Sequence, residues 1–218
     1  MAVIFPRWSN RLPLLLAGIA PIVLGFVVTG VWYYLSPNFT DVGYRPQQPI
    51  AFSHKVHAGE LGMDCRYCHN TVERGARAAI PPTATCMNCH AYVKTGSDEI
   101  KKIWASAENN TPIEWVRVHL LPDYAYFDHS VHLAAGVGCV SCHGRIDRMD
   151  VVQQDQPLSM GWCLNCHRNP SSHLRPRAEV TNMDYDPIAA GYVAGSDEER
   201  ARRDFKLAPP EHCSGCHR

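Results

Sequence analysis

The sequence predicts a chain of a few short helices and mostly irregular segments, placed behind one long N-terminal apolar helix. Three observations predict it. The pattern Cys-x-x-Cys-His occurs five times and uses all ten cysteines of the 218-residue chain. Residues 12–35 carry no charge. Nowhere does the chain show the apolar–polar alternation of a half-buried strand.

The five motifs are Cys65–Cys68–His69, Cys86–Cys89–His90, Cys139–Cys142–His143, Cys163–Cys166–His167 and Cys213–Cys216–His217. This spacing is the attachment signature of c-type haem. Each cysteine sulfur adds to one vinyl group, and the following histidine ligates the iron from the proximal side. Zinc knuckles and redox dithiols also use Cys-x-x-Cys, but neither needs a histidine directly after the second cysteine. Five disulfides would likewise leave those histidines unexplained. The expected cofactor is therefore five covalently bound haem c groups, at about 44 residues for each. So few residues per site cannot build an ordinary apolar core, and the haems supply it. Regular structure is then sparse, and haem attachment of this kind implies export across the inner membrane.

The elements follow in chain order. Residues 1–11 hold Arg7 and Arg11, and the next Lys or Arg after them is Arg45. The positive-inside rule puts this end in the cytoplasm and the rest outside. The 24 residues 12–35 span the hydrocarbon core at a rise of about 1.5 Å per residue. Pro13 falls in the first turn, where a missing N–H costs little, and Pro21 is expected to kink the helix without stopping it. Trp8, Trp32, Tyr33 and Tyr34 read as interfacial anchors. A cleaved signal peptide is the alternative, but the apolar run is long for one and no Ala-x-Ala site follows it. The expectation is a single-pass inner-membrane protein with a periplasmic haem domain.

Residues 36–49 are rich in proline and polar groups and read as an extended linker. Then Phe52-Ser53-His54-Lys55-Val56-His57 appears, and it returns 75 residues later as Phe127-Asp128-His129-Ser130-Val131-His132. Each copy precedes a haem motif, with Gly62 and Gly136 three residues before Cys65 and Cys139. The repeat divides the chain into a dihaem module at 50–95, a helical connector at 96–118 and a second dihaem module at 119–175. A C-terminal segment at 176–218 carries the fifth haem. In the connector, residues 97–109 read as a helix with acids first and lysines later. Residues 197–205, opened by the capping box Ser196-Asp197-Glu198-Glu199, read as a charged helix.

Histidines at i and i+3 lie on one face of a helical turn. His54, His57, His129 and His132 are therefore candidate distal ligands, each serving a different iron. The fifth distal ligand has two candidates. His119 lies in the apolar stretch Trp115-Val116-Arg117-Val118-His119-Leu120-Leu121-Pro122, with a structural or propionate-contacting role as its alternative. Met183 lies between motifs four and five, and a Met/His iron has a raised potential relative to a bis-His iron. His173 and His212 are placed among the non-ligands. Formal charge is zero, with 21 basic and 21 acidic residues. Ten propionates make the loaded domain acidic, which excludes nucleic acid as a partner and suits a charge-steered redox partner.

On these motifs the chain resembles the class III, cytochrome c3/c7-type multihaem proteins. The anchor helix, the two modules, the fifth haem and the phrases Trp115–Asp123 and Met160–Arg168 are similar, more narrowly, to the pentahaem subunit of alternative complex III. That resemblance implies a quinol:electron-acceptor oxidoreductase with an integral-membrane quinol-binding subunit and an iron–sulfur subunit. It implies electron delivery toward a monohaem cytochrome c or a terminal oxidase, with no catalytic turnover by this chain alone. Two rivals stand beside it. An autonomous membrane-anchored quinol dehydrogenase feeding a periplasmic reductase would oxidise quinol unaided. A multihaem reductase, of nitrite for example, would need an open iron site.

Overall fold

The computed structural model describes residues 5–192 and 209–217. The helix expected at 197–205 lies outside the described residues. The chain forms two units, Met1–Val42 and Gly43–Arg218.

The first unit is a 3-10 turn, Arg7–Arg11, running into α1, Leu12–Tyr34. Pro13 sits in the first turn of α1 and Pro21 inside it, and the helix continues past both. No face of α1 is buried. A helix apolar on every side and long enough to span a bilayer suits lipid better than water. Residues 36–49 were expected to be extended throughout. Instead they open with a helical turn, α2, Pro37–Thr40. Pro37 at its first position holds φ near the helical value. The Ser36 hydroxyl donates to the Tyr33 carbonyl at 2.7 Å. The rings of Tyr33, Tyr34 and Phe39 cluster with centroids 4.8–5.8 Å apart.

The second unit carries all the motifs on short helices: α3, Cys65–Cys68; α4, Thr83–His90; α5, Asp98–Glu108; α6, His129–Ala135; α7, Val140–His143; α8, Met160–Arg168; and α9, Cys213–Cys216. Among the described residues there is no strand, only isolated bridges at Ala125–His217 and Val137–Leu174. The helix expected at 97–109 is α5. Its Ile100, Ile103 and Ser106 share one face by their spacing and are buried. Ile100 and Ile103 pack with Ile50, Cys86, Met87, Trp104, Ile113 and Trp115. The Ser106 hydroxyl donates to the Thr111 carbonyl at 2.6 Å and lies 2.8 Å from the Thr83 hydroxyl. The Trp104 indole donates to the His90 carbonyl at 3.2 Å. α5 therefore belongs to the wall of the second haem motif and does more than join two modules.

The two Phe-x-His-x-x-His phrases fold alike but not identically. The second opens α6, capped by Asp128, whose carboxylate accepts from the Ser130 N–H. The first opens a π-helical turn, Lys55–Glu60. Each ends on a glycine in the left-handed region, Gly62 at φ +64° and Gly136 at φ +87°. That conformation disfavours any side chain, and it turns the backbone toward the motif three residues on.

The phrases are also exchanged between modules. The Lys55 N–H donates to the Met149 carbonyl at 3.0 Å, and the Ser130 N–H donates to the Gly75 carbonyl at 3.3 Å. Lys55 and Ser130 are the fourth residues of their phrases. Gly75 and Met149 each lie ten residues beyond the first cysteine of the adjacent motif. Gly59 packs so tightly on the Asp147 carbonyl that a Cβ there would overlap it. Equivalent donors meeting equivalent acceptors describe a local pseudo-two-fold. It places motifs one and three at the centre of the unit.

Candidate haem sites

In every motif the two cysteines are three residues apart along one helical turn, so their sulfurs share a face. None of the ten is in a disulfide. Local sequence sets the turns. Asp64 caps α3, its carboxylate accepting from the Arg66 N–H, and Ser159 caps α8, its hydroxyl accepting from the Trp162 N–H.

The histidines show whether the chain suits a haem iron. A ligating imidazole needs one nitrogen free for the metal and the other held by an acceptor. His69, His90, His167 and His217 each set Nδ1 against a backbone carbonyl, of Ala79, Val93, Pro210 and Tyr124, at 2.7–3.1 Å. His57, His129 and His132 do the same with the carbonyls of Ser53, Ala76 and Asp128 at 2.7–2.8 Å. In seven rings Nε2 is thereby left to face outward. Two imidazoles on opposite sides of one metal, each bonded at about 2 Å, have ring centres roughly 6 Å apart. The pairs His57–His90, His132–His167 and His129–His143 stand at 6.1, 6.2 and 6.5 Å. The His57–His90 and His132–His167 pairs fit a six-coordinate haem iron on both counts, whereas the buried Nδ1 atoms of His143 and His54 have no acceptor.

Phe52 and Phe127 each contact both histidine rings of their own phrase. Phe52 lies 4.3 Å from His57 and 4.9 Å from His54, and Phe127 lies 4.5 Å from His132 and 4.7 Å from His129. Burial, reinforced by the charges of His69, His57 and His119, pushes His54 down to about 4. Burial, with His119 next in effect, pushes His143 down to about 3. These rings stay neutral at physiological pH, as a metal ligand must. His119 stands beside them, its ring 4.4 Å from His143 at 75° and its buried Nε2 without a partner. At that spacing the two rings cannot sit opposite one another across a metal. Met183 lies between Asn182, whose carbonyl accepts from Arg175, and Asp184, which pairs with Arg145 at 2.7 Å. The same segment meets motif three, where the Cys139 N–H donates to the Val180 carbonyl. Both candidates for the fifth ligand therefore lie by motif three. His217 lies against Tyr124, ring centres 5.7 Å apart.

The class III cytochrome c family model matches residues 37–119. The model for cytochrome c7 and related cytochromes c matches residues 125–218. The chain is also 32% identical over 182 residues to the multiheme cytochrome c subunit of menaquinone reductase from Nitratidesulfovibrio vulgaris strain Hildenborough, covering 72% of this chain and 84% of that one. This chain belongs to the class III multihaem cytochromes c. Covalent haem c is the cofactor of that family, and multihaem electron transport is its business.

In this cytochrome the motif cysteines, whose sulfurs become thioethers when haem is attached, lie near enough to act on one another electrostatically. Burial and then the charge of Cys86 raise the Cys68 thiol. The Cys139 thiol is pushed up by its neighbour Cys65 and by burial. Burial, then Cys166 and Cys163, push Cys142 up to about 12. Burial and then Cys216 raise Cys163. Thr181 ties motif one to the motif-three strand of chain, its hydroxyl donating to the Asp64 carboxylate at 2.9 Å. The C-terminal motif is tied back by the Tyr126 N–H donating to the Cys216 carbonyl at 2.8 Å and by Arg168 meeting Glu211 at 3.4 Å. The neighbours run two, one, three, four, five. Sequence reasoning placed the motifs and the paired histidines. It missed Asp64, Arg175 and the carbonyls that hold the rings, because a backbone acceptor leaves no mark on residue type.

Proposed function

We propose that this chain carries five covalent haems, one on each motif, and relays electrons along the outer face of a membrane as a subunit of a quinone-linked respiratory complex. The observation that carries the reading is the set of five Cys-x-x-Cys-His motifs, with ligand-spaced histidine pairs on three of them. Each haem, when bound, supplies a one-electron iron centre. The chain supplies proximal ligands from His69, His90, His143, His167 and His217. His57 would ligate at the second site, His132 at the fourth, His129 at the third and His54 at the first. α1 is the anchor, with residues 1–11 in the cytoplasm.

The complex proposed is of the alternative complex III type, with a quinol-binding membrane subunit and an iron–sulfur subunit upstream and a monohaem cytochrome c or terminal oxidase downstream. One transmembrane helix cannot enclose a quinol pocket unaided, so quinol chemistry belongs to the partner. The relative that serves menaquinone reductase favours a second reading, in which electrons enter from the periplasm and leave toward the quinone. Purification of the full chain in mild detergent separates these from an autonomous enzyme. The chain alone is expected to leave a short-chain menaquinol unoxidised. Sustained menaquinol oxidation by the isolated chain would overturn the subunit reading.

A further inference from the structure

The pseudo-two-fold makes the sites at motifs one and three equivalent in backbone, but not in charge. The residue before Cys65 is Asp64, and its counterpart before Cys139 is Gly138. Asp64 is half-exposed, and Arg66 binds its carboxylate at 2.8 Å while also reaching Glu73 at 3.3 Å. Gly138 has a cation instead, while the Asp155 carboxylate packs on Gly144 at the other end of the same motif and offsets part of that charge. The Arg175 guanidinium lies flat on Gly138, so close that a Cβ there would overlap it. Arg175 is only 3% exposed. Its Nη1 donates to the Asn182 carbonyl at 2.8 Å, its carbon centre lies 5.4 Å from the Tyr185 ring centre, and its Nε is buried without a partner. Among the described residues no carboxylate forms an ion pair with it.

Glu179 and Asp186 act on it only through space, without an ion pair. A buried cation so weakly compensated is costly and acts over distance, because the surrounding dielectric screens it weakly. Its placement also breaks the symmetry of the central pair. Resting on the five-haem reading, we infer that Arg175 is an electrostatic positioning residue that favours the reduced state of the iron held at motif three over that at motif one. A fixed positive charge beside a redox centre stabilises the form carrying the extra electron. Two sites that the fold would otherwise make alike are thus stepped, and the step runs downhill for an electron from motif one to motif three.

The test is a spectroelectrochemical titration of the full haem-loaded chain in detergent, comparing wild type with Arg175→Gln, Arg175→Met and Arg175→Lys. Intact mass checks haem loading in each. Loss of the charge in Gln and Met is expected to lower the ferrous-to-ferric ratio of one site about tenfold at a given potential, about 59 mV for a one-electron couple. The other four change less, and Lys stays near wild type. Met fills the buried space without a polar head, so it tests the charge even if Gln fits poorly. Unchanged titrations in fully loaded Gln and Met variants overturn the inference, as does Lys behaving like Gln. Loss of the motif-three haem in both uncharged variants makes Arg175 structural and overturns it too. A wild-type mass without five haems would instead overturn the function reading.

Discussion

His57 and His132 occupy equivalent places and make equivalent contacts, each over its phenylalanine and each near 6 Å from the proximal ring of its module's second motif. On the proposed pairing, each should control one iron. His57→Ala or His132→Ala is expected to turn one haem high-spin and leave the rest low-spin, read from the ferric electron paramagnetic resonance signal. A fully low-spin spectrum in either variant would refute the pairing. These histidines were legible as candidates because ligand chemistry demands the residue type at a fixed spacing. His119 was legible as a buried histidine but not as a neighbour of His143, since that contact depends on how two distant segments fold together. Arg175 was not legible at all. An arginine between leucine and proline reads as solvated, and the hint, Gly138 standing where the other module has Asp64, needs the structure to mean anything.

The short helices depend on caps and on one small core. Hydrogen bonding from Arg66, before any other cause, holds the Asp64 carboxyl at about 2 against an ordinary 3.8. A depressed carboxylate contributes stability that is present above the unfolded value of 3.8 and lost as pH falls through about 2. Denaturation midpoints of wild type and Asp64→Asn should therefore differ at neutral pH and converge between about pH 4 and pH 2. A constant gap across that window would show that the charge is not involved. Asp64→Ala, which also removes the cap, should cost about 1 kcal/mol. On α5, Ile103→Ala opens the core behind motif two at a cost of about 2–5 kcal/mol, and the second haem should be the one most easily lost. α1 and α5 were legible from local pattern, one from an uncharged run and the other from acids first and lysines later. The helical turn Pro37–Thr40 was missed because proline-rich sequence suits both extended chain and a helix start.

For the whole molecule, the arrangement is two modules interlocked by a pseudo-two-fold, with a fifth motif fastened beside the fourth. The repeat was visible in the sequence. The exchange of phrases between modules was not, because it is made by backbone groups that every residue carries. It is this exchange that puts motifs one and three together and leaves two and five at the ends of the sequence of neighbours. Orientation is testable independently. Protease added to spheroplasts should digest the haem-bearing unit and spare the anchor, and a protected haem domain would contradict the outward placement. The most direct measurement of all is the intact mass of the full chain purified from its membrane. Five covalent haem additions on the polypeptide are expected, and any smaller number would contradict a five-centre relay.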